Sequence, residues 1–239
     1  MIVRGCNISR NQPLICVPIV GATIGDMIQM IDGLDDYDLL ELRLDYLNDL
    51  DDLRLLKQIR DCVDCPIIGT LRTVNEGGYA DVSIEDYILF IEMICEFVDI
   101  VDIELSMGKI NVFQLVEFVH QKGCLALVSH HDFNLTPAYQ VILDTFDQME
   151  VLGGDILKVA YMPFSSRDVV TLMNAMLMVS SKIDKPLIGI SMGELGRITR
   201  VCAKYLGSCI TFASACQDVA PGQLSVSDMR VLMEVLNHD

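Results

Sequence analysis

"VPIVGATIGD", residues 17–26, is the stretch on which the fold turns. It carries the end of the first strand candidate, residues 14–19, and the first junction out of a strand. An open, doubly wound parallel sheet usually carries the phosphate-cradling spacing G-x-G-x-x-G at this junction. Here the glycines fall at 21 and 25, which does not fit. A closed barrel makes no such demand on its first turn.

Outward from this junction, short β-branched runs alternate with longer segments of helical period. Strands are predicted over 14–19, 39–44, 66–71, 98–105, 124–129, 156–160, 186–191 and 209–213. Helices are predicted over 85–97, 112–121, 137–152, 166–181 and 225–236. In 166–181, Val169, Leu172, Met173, Met176 and Leu177 share one face, with Ser165 or Ser166 as cap and Asp168 in the first turn. The strand-like runs recur about every 25–30 residues, the size of a βα unit. Eight units in sequence predict a single (β/α)8 barrel domain over 1–239. Residues 1–13 precede the first unit and are expected to cap the barrel floor.

Composition narrows the function. Of 239 residues, 51% are hydrophobic, enough for a sizeable core. Mean hydropathy is +0.40, yet every apolar run is broken by charge or glycine short of the roughly 20 residues a membrane helix needs. The start, MIVRGCNISRNQP, shows no basic head followed by an apolar stretch, so no secretory leader is expected. The net charge of −17 disfavours nucleic acid and anionic membranes as partners. An anionic substrate would need particular arginines to bind it against that field. Nine cysteines, an odd number, fit a reducing, cytoplasmic setting in which most act as small apolar residues. Cys62 and Cys65 form a C-x-x-C with no second pair, before the third strand, and read as structural. The acidic run 32–38 and Asp49, Asp51 and Asp52 read as solvated loops.

In a barrel, chemistry belongs at the C-terminal ends of strands. The second strand carries "ELRLDYL", 41–47, in which Glu41, Arg43 and Asp45 alternate with apolar residues. Period two puts these charges on one face, and in a barrel without edges that face is the interior. The third strand ends in "TLRTVNEGG", 70–78, with Arg72 at its tip and Glu76 before the flexible pair Gly77–Gly78. The fourth holds Asp102 and Glu104 at alternate positions, equally suited to catalysis and to ion pairing with inward arginines. The fifth ends in "SHHDF", where His130 and His131 must point to opposite faces. His120 and His238 stand in weaker positions, and no further His or Cys cluster supports a metal. In "DILKVAYMP", 155–163, Lys158 interrupts an apolar strand. It either pairs with a carboxylate such as Asp102 or Glu104, or is an amine freed for attack by desolvation and nearby cations. "ISMGELGRITR", 190–200, supplies Arg197 and Arg200, the latter suited to clamp a carboxylate. Pro221–Gly222 turn the chain to present Gln223. An amine, an imidazole, a carboxylate and several arginines at one mouth suit imine-based carbonyl chemistry. An aldolase of this kind would share the lysine.

The stretches "ELRLDYL", "TLRTVNEGG", "SHHDFNLTP", "DILKVAYMP", "ISMGELGRITR" and "TFASACQDVAPGQLS" resemble, in order and spacing, those of type I 3-dehydroquinate dehydratases of the shikimate pathway. The resemblance implies Lys158 as Schiff-base lysine, His131 as general acid/base and Glu76 as its orienting partner. It implies that Glu41, Arg43, Arg72, Arg200 and Gln223 hold the small-molecule substrate 3-dehydroquinate, with Arg200 on its carboxylate. It implies neither metal nor organic cofactor, and a homodimer. One position departs: Val219 stands where the family usually has serine, so the substrate hydrogen bond made there is expected to be lost or replaced, with Ser225 or backbone amides as the groups that could compensate.

Overall fold

The protein is described from a computed structural model covering residues 1–48, 53–215 and 220–237. Asp49, Asp51, Asp52, Val219 and His238 lie outside these residues. A two-stranded antiparallel hairpin, β1 (Ile2–Val3) and β2 (Cys6–Asn7), opens the chain. It is followed by β3 (Leu14–Ile19), α1 (Ile24–Asp32), β4 (Leu39–Arg43), α2 (Leu56–Cys62), β5 (Ile67–Thr70) and α3 (Ile84–Ile94). Then come β6 (Ile100–Glu104), α4 (Lys109–Gln121), β7 (Leu125–Asp132), α5 (Tyr139–Val151), β8 (Ile156–Tyr161) and α6 (Ser166–Lys182). The chain closes with β9 (Leu187–Ser191), α7 (Gly193–Val201), α8 (Ala203–Leu206), β10 (Ile210–Phe212) and α9 (Val226–Asn237).

Strands β3 to β9 pair in parallel in chain order, and β10 returns to pair with β3. Between β9 and β10 a bridge, Leu187 to Ser208, and a bond from Cys209 N–H to Leu187 O at 2.8 Å complete the circle. This is a (β/α)8 barrel, and it excludes the open sheet. All eight predicted strands are present. The second stops at Arg43 rather than 44, because Leu44–Tyr46 turns into a short 3-10 helix. The fifth runs three residues past 129, so both histidines lie on β7. Four helices lack a counterpart in the sequence reading: α1, α2, α7 and α8. The first begins within "VPIVGATIGD" itself. Thr23 Oγ1 accepts from Asp26 N–H at 3.1 Å and Asp26 accepts from Thr23 N–H at 2.9 Å, a capping box. On α6 the Asp168 carboxylate accepts the Ser165 N–H at 2.9 Å in the same way.

Strand period two divides the core in two. Outward residues such as Leu40, Leu42, Val101, Ile103, Val128 and Val159 pack on the helices. Inward residues at the strand starts, including Leu39, Ile68, Ile100, Leu127, Ile156 and Ile210, form a separate apolar floor. Ile8, just after the N-terminal hairpin, is buried within that floor, and its burial contributes roughly 2 kcal/mol. The next inward residues up the strands are polar: Glu41, Thr70, Asp102, Ser129 and Lys158. The floor thus closes the barrel below, and the polar layer faces the mouth above. Among the described residues, no helix is long and apolar enough to cross a membrane.

Candidate active site

Alternation along β8 puts Ile156, Lys158 and Ala160 inside the barrel. Lys158 Nζ has almost no exposure and lies 3.3 Å from Glu41 Oε1 and 3.6 Å from Asp102 Oδ2. The Phe212 ring of β10 stands 4.4 Å from it. The sequence reading set cations beside this amine, or paired it with Asp102 or Glu104. The pairing with Asp102 is present, and Glu41 rather than Glu104 is the second carboxylate, because β4 and β6 present acids at the same inward level. Glu41 Oε1 also accepts from Thr70 Oγ1 at 3.0 Å.

One inward layer higher, His131 pairs across β7 and β8 with Ala160, while Ser129 pairs with Lys158. Two strand residues separate the levels by roughly 6.6 Å. His131 Nδ1 lies 2.8 Å from Glu76 Oε2, and the His131 backbone N–H donates to the same oxygen at 3.0 Å. The Arg72 guanidinium lies 3.6 Å from it. An oxygen facing three N–H groups is an acceptor, so the shared proton rests on Nδ1 and the Nε2 lone pair is free. Burial, reinforced by Arg72 and Lys158, pushes the His131 imidazolium well below the ordinary imidazole range, so the ring is a neutral base at pH 7. Burial pushes the Glu76 carboxyl up to about 8, with Arg72 opposing. His130 faces the other way, its Nδ1 3.3 Å from the Tyr161 hydroxyl.

Glu76 is aimed by the loop after β5. Gly77 has φ of +81°, and a Cβ there would meet the Phe133 ring at 2.2 Å. At Gly78 a Cβ would lie 2.1 Å from Arg72 O. These glycines, expected only to be flexible, are demanded by a turn that folds back onto the strand. Gly78→Ala is expected to destabilise the protein by about 1–3 kcal/mol and to lower kcat by displacing Arg72 and Glu76. Urea unfolding midpoints and turnover measured on the same preparation check it.

Arg72 is held from inside the protein. Its Nη1 donates to Glu104 Oε1 at 2.9 Å and Ser129 Oγ at 3.1 Å, and Nη2 to Asp102 Oδ2 at 2.7 Å. Asp102 and Glu104 therefore do form the ion pairs that the sequence allowed. Arg43 is likewise held, donating from Nε and Nη2 to Asp45 at 2.8 and 2.7 Å. Asp45 sits in the 3-10 turn after β4, not on the strand as its alternation suggested, and clamps the arginine from above. Arg200 on α7 is buried and donates to Pro221 O at 3.2 Å. Arg197 is on the solvent side, 3.7 Å from Glu194. Gly222, with φ of +79°, turns the chain where a Cβ would meet Gly193 O at 2.2 Å, and Gln223 beyond it is buried.

One cavity at the C-terminal ends of the strands gathers Lys158, His131, Glu76, Glu41, Arg43, Arg72, Arg200 and Gln223. Four of the chain's 17 lysines and arginines are among them, concentrating positive charge against the global field. Pro18, Phe133, Ala160, Ile190, Met192 and Phe212 add apolar side chains to the wall. Sequence reasoning missed these six because an apolar residue facing a cavity has the same signature as one facing the core. Cys65, on the opposite side before β5, is pushed up to about 11 by burial, which suits an inert thiol.

Fold and cavity together define a (β/α)8 barrel whose mouth holds a buried amine opposed by an imidazole–carboxylate pair. Residues 15–239 match the family model for type I 3-dehydroquinase, and the chain belongs to that family. A curated 3-dehydroquinate dehydratase of Listeria welshimeri is 35% identical, covering 99% of this chain and 98% of the relative. A crystal structure of the type I 3-dehydroquinate dehydratase of Clostridium difficile, with covalently modified comenic acid, superposes with a TM-score of 0.94 at 33% identity. It covers 99% of this chain and 97% of that one. The 3-dehydroquinate dehydratase structure from Geobacillus kaustophilus also gives 0.94 at 33% identity, over 99% and 95% of the two chains.

Proposed function

We propose that the protein converts 3-dehydroquinate to 3-dehydroshikimate through a Schiff base at Lys158, with His131 as general acid and base. The observation that carries this is the stacking of the Lys158 amine one inward layer below the His131–Glu76 pair, facing the same cavity. A ketone seated on the amine presents its neighbouring carbon to the imidazole. The covalently modified comenic acid of the Clostridium difficile relative supports covalent chemistry in this family.

The steps balance as follows. Nζ sheds a proton, for which Glu41 Oε1 is the acceptor within reach. Its lone pair adds to the ketone carbon, and the carbonyl π pair moves to oxygen. That oxygen, protonated, leaves as water as the C=N bond forms, and nitrogen carries the positive charge. The iminium draws electrons from the adjacent carbon, so His131 Nε2 removes its proton to give an enamine. The enamine pair expels the hydroxyl one carbon further, with His131 returning the proton so that water departs. Water then adds to the C=N carbon, and hydrolysis frees Lys158. Glu76 keeps the Nδ1 proton in place and orients the ring throughout. Arg200 receives the substrate carboxylate. Glu41, Arg43, Arg72 and Gln223 border the remaining hydroxyls, Arg72 acting from within its own ion pairs.

Borohydride reduction in the presence of 3-dehydroquinate, followed by peptide mass mapping, tests the reading. The expected result is one reduced adduct, on Lys158. An adduct on another residue, or none, rejects the mechanism.

A further inference from the structure

We propose that Asp102 is the counter-ion of the imine formed at Lys158, holding that imine in its protonated, electron-withdrawing form through proton abstraction. The inference rests on the Schiff-base reading above and assigns a role to a residue outside the cavity wall.

Two carboxylates approach Nζ, and they differ in kind. Glu41 lines the cavity, so an arriving substrate meets it. Asp102 does not line it; its side chain is 1% exposed and sits behind the amine. At that burial it is out of reach of an arriving substrate and of bulk solvent. Its charge is also fixed independently of the ligand. Oδ1 accepts from Ser129 Oγ at 2.7 Å and Oδ2 from Arg72 at 2.7 Å. Against the upward push of burial, Arg72 and Lys158 hold its carboxyl below the usual range, so it is a standing anion rather than a proton acceptor. Arg72 does not cancel that anion, because it also serves Glu104 at 2.9 Å and Glu76 at 3.6 Å. Asp102 and Glu104 thus share one guanidinium, and Asp102 Oδ2 also lies 3.6 Å from Nζ.

The chemistry needs this charge at one stage in particular. A neutral imine withdraws electrons weakly, whereas an iminium makes the neighbouring C–H acidic enough for a neutral imidazole. An anion 3.6 Å from the nitrogen in a dry interior favours the iminium far more than one in water would. The other groups facing the nitrogen are Glu41 from β4, His131 from β7, the Phe212 ring from β10 and the Cys16 thiol from β3. Burial pushes that thiol well up, so it contributes no charge. Arg72 and Glu104 stand one step further back.

The test is Asp102→Asn, which keeps the shape and removes the charge. With substrate labelled at the ketone carbon, the infrared C=N band and its shift between H2O and D2O report the proton on nitrogen. The wild-type imine is expected to stay protonated throughout the alkaline range in which the protein is folded. In Asp102→Asn the imine is expected to lose its proton within that range, at a pH at least about one to two units lower than in the wild type, with borohydride trapping falling in parallel. A purely structural residue would not move that titration. Identical titration in the two proteins overturns the proposal. The wild type gives a second test that needs no variant: loss of the deuterium shift near neutral pH also overturns it. If the wild type itself yields no Lys158 adduct, the Schiff-base reading is what has failed, and the counter-ion role falls with it.

Discussion

Lys158→Met is expected to lower kcat for 3-dehydroquinate by at least about 10⁴-fold, or ~5 kcal/mol of transition-state stabilisation. On the proposed mechanism the loss follows from removing the amine that, among the described residues lining the cavity, is placed in the polar layer to bond covalently to a ketone. Methionine is the better substitute than alanine, since it fills the stem's volume between Glu41, Asp102 and Phe212. Removing a buried cation leaves acids uncompensated, which can itself cost several kcal/mol. Here the cost is softened, because Asp102 retains Arg72 and Ser129, and Glu41 retains Thr70. A folded but inactive protein is therefore the expected result. Product formation is followed by the absorbance of the conjugated enone, and folding by thermal unfolding of the same sample. Substrate binding should survive in part, because Arg200 and Gln223 are untouched. Turnover within about tenfold of the wild type would remove Lys158 from the chemistry.

Much of this arrangement was legible in the sequence because period two is a strong constraint in a closed barrel. Eight strand-like runs put Glu41 and Lys158 inward at the mouth and make His130 and His131 face opposite ways; only the family resemblance says that His131 is the inward one. What was not legible is which partner each charge takes. Lys158 meets Glu41 rather than Glu104 because of the stagger between strands that lie 117 residues apart in sequence, which no local pattern encodes. Asp45 looked like a third inward strand charge. The chain instead turns at Leu44 into a 3-10 helix, and the aspartate folds back onto Arg43. Arg72 looked like an ordinary strand-end arginine with its donors free for a ligand. Only the meeting of β5, β6 and β7 shows that Asp102, Glu104 and Ser129 occupy them. The helices missed have equally local causes. α1 is only nine residues long, and its capping box, Thr23 with Asp26, lies among glycines that give the segment the look of a loop.

Removing the imidazole separates the two halves of the mechanism. His131→Ala is expected to form the imine, so borohydride still traps Lys158, while kcat falls by about 10²–10⁴-fold. The reason lies in the geometry of Glu76. Its Oε2 accepts two bonds from residue 131, one from Nδ1 and one from the backbone N–H at 3.0 Å. The substitution removes the first and keeps the second, so the loop after β5 remains anchored and Arg72 keeps its acids. Lys158 lies one layer lower, touching Glu41 and Asp102 but not the imidazole, so its attack on the ketone proceeds. What disappears is the neutral base poised at the neighbouring carbon. The wild-type pH profile carries the same signature. Because burial and the surrounding cations depress the His131 imidazolium, the base is present at neutral pH and is lost only on acidification well below the ordinary imidazole range. In His131→Ala that acid limb should vanish from the residual activity. Single-turnover trapping and a pH series on the variant measure both effects. Near-normal turnover would shift the proton transfer to another group. His130 is turned toward Tyr161 and out of the cavity, so Glu76 is the residue that would then have to carry it.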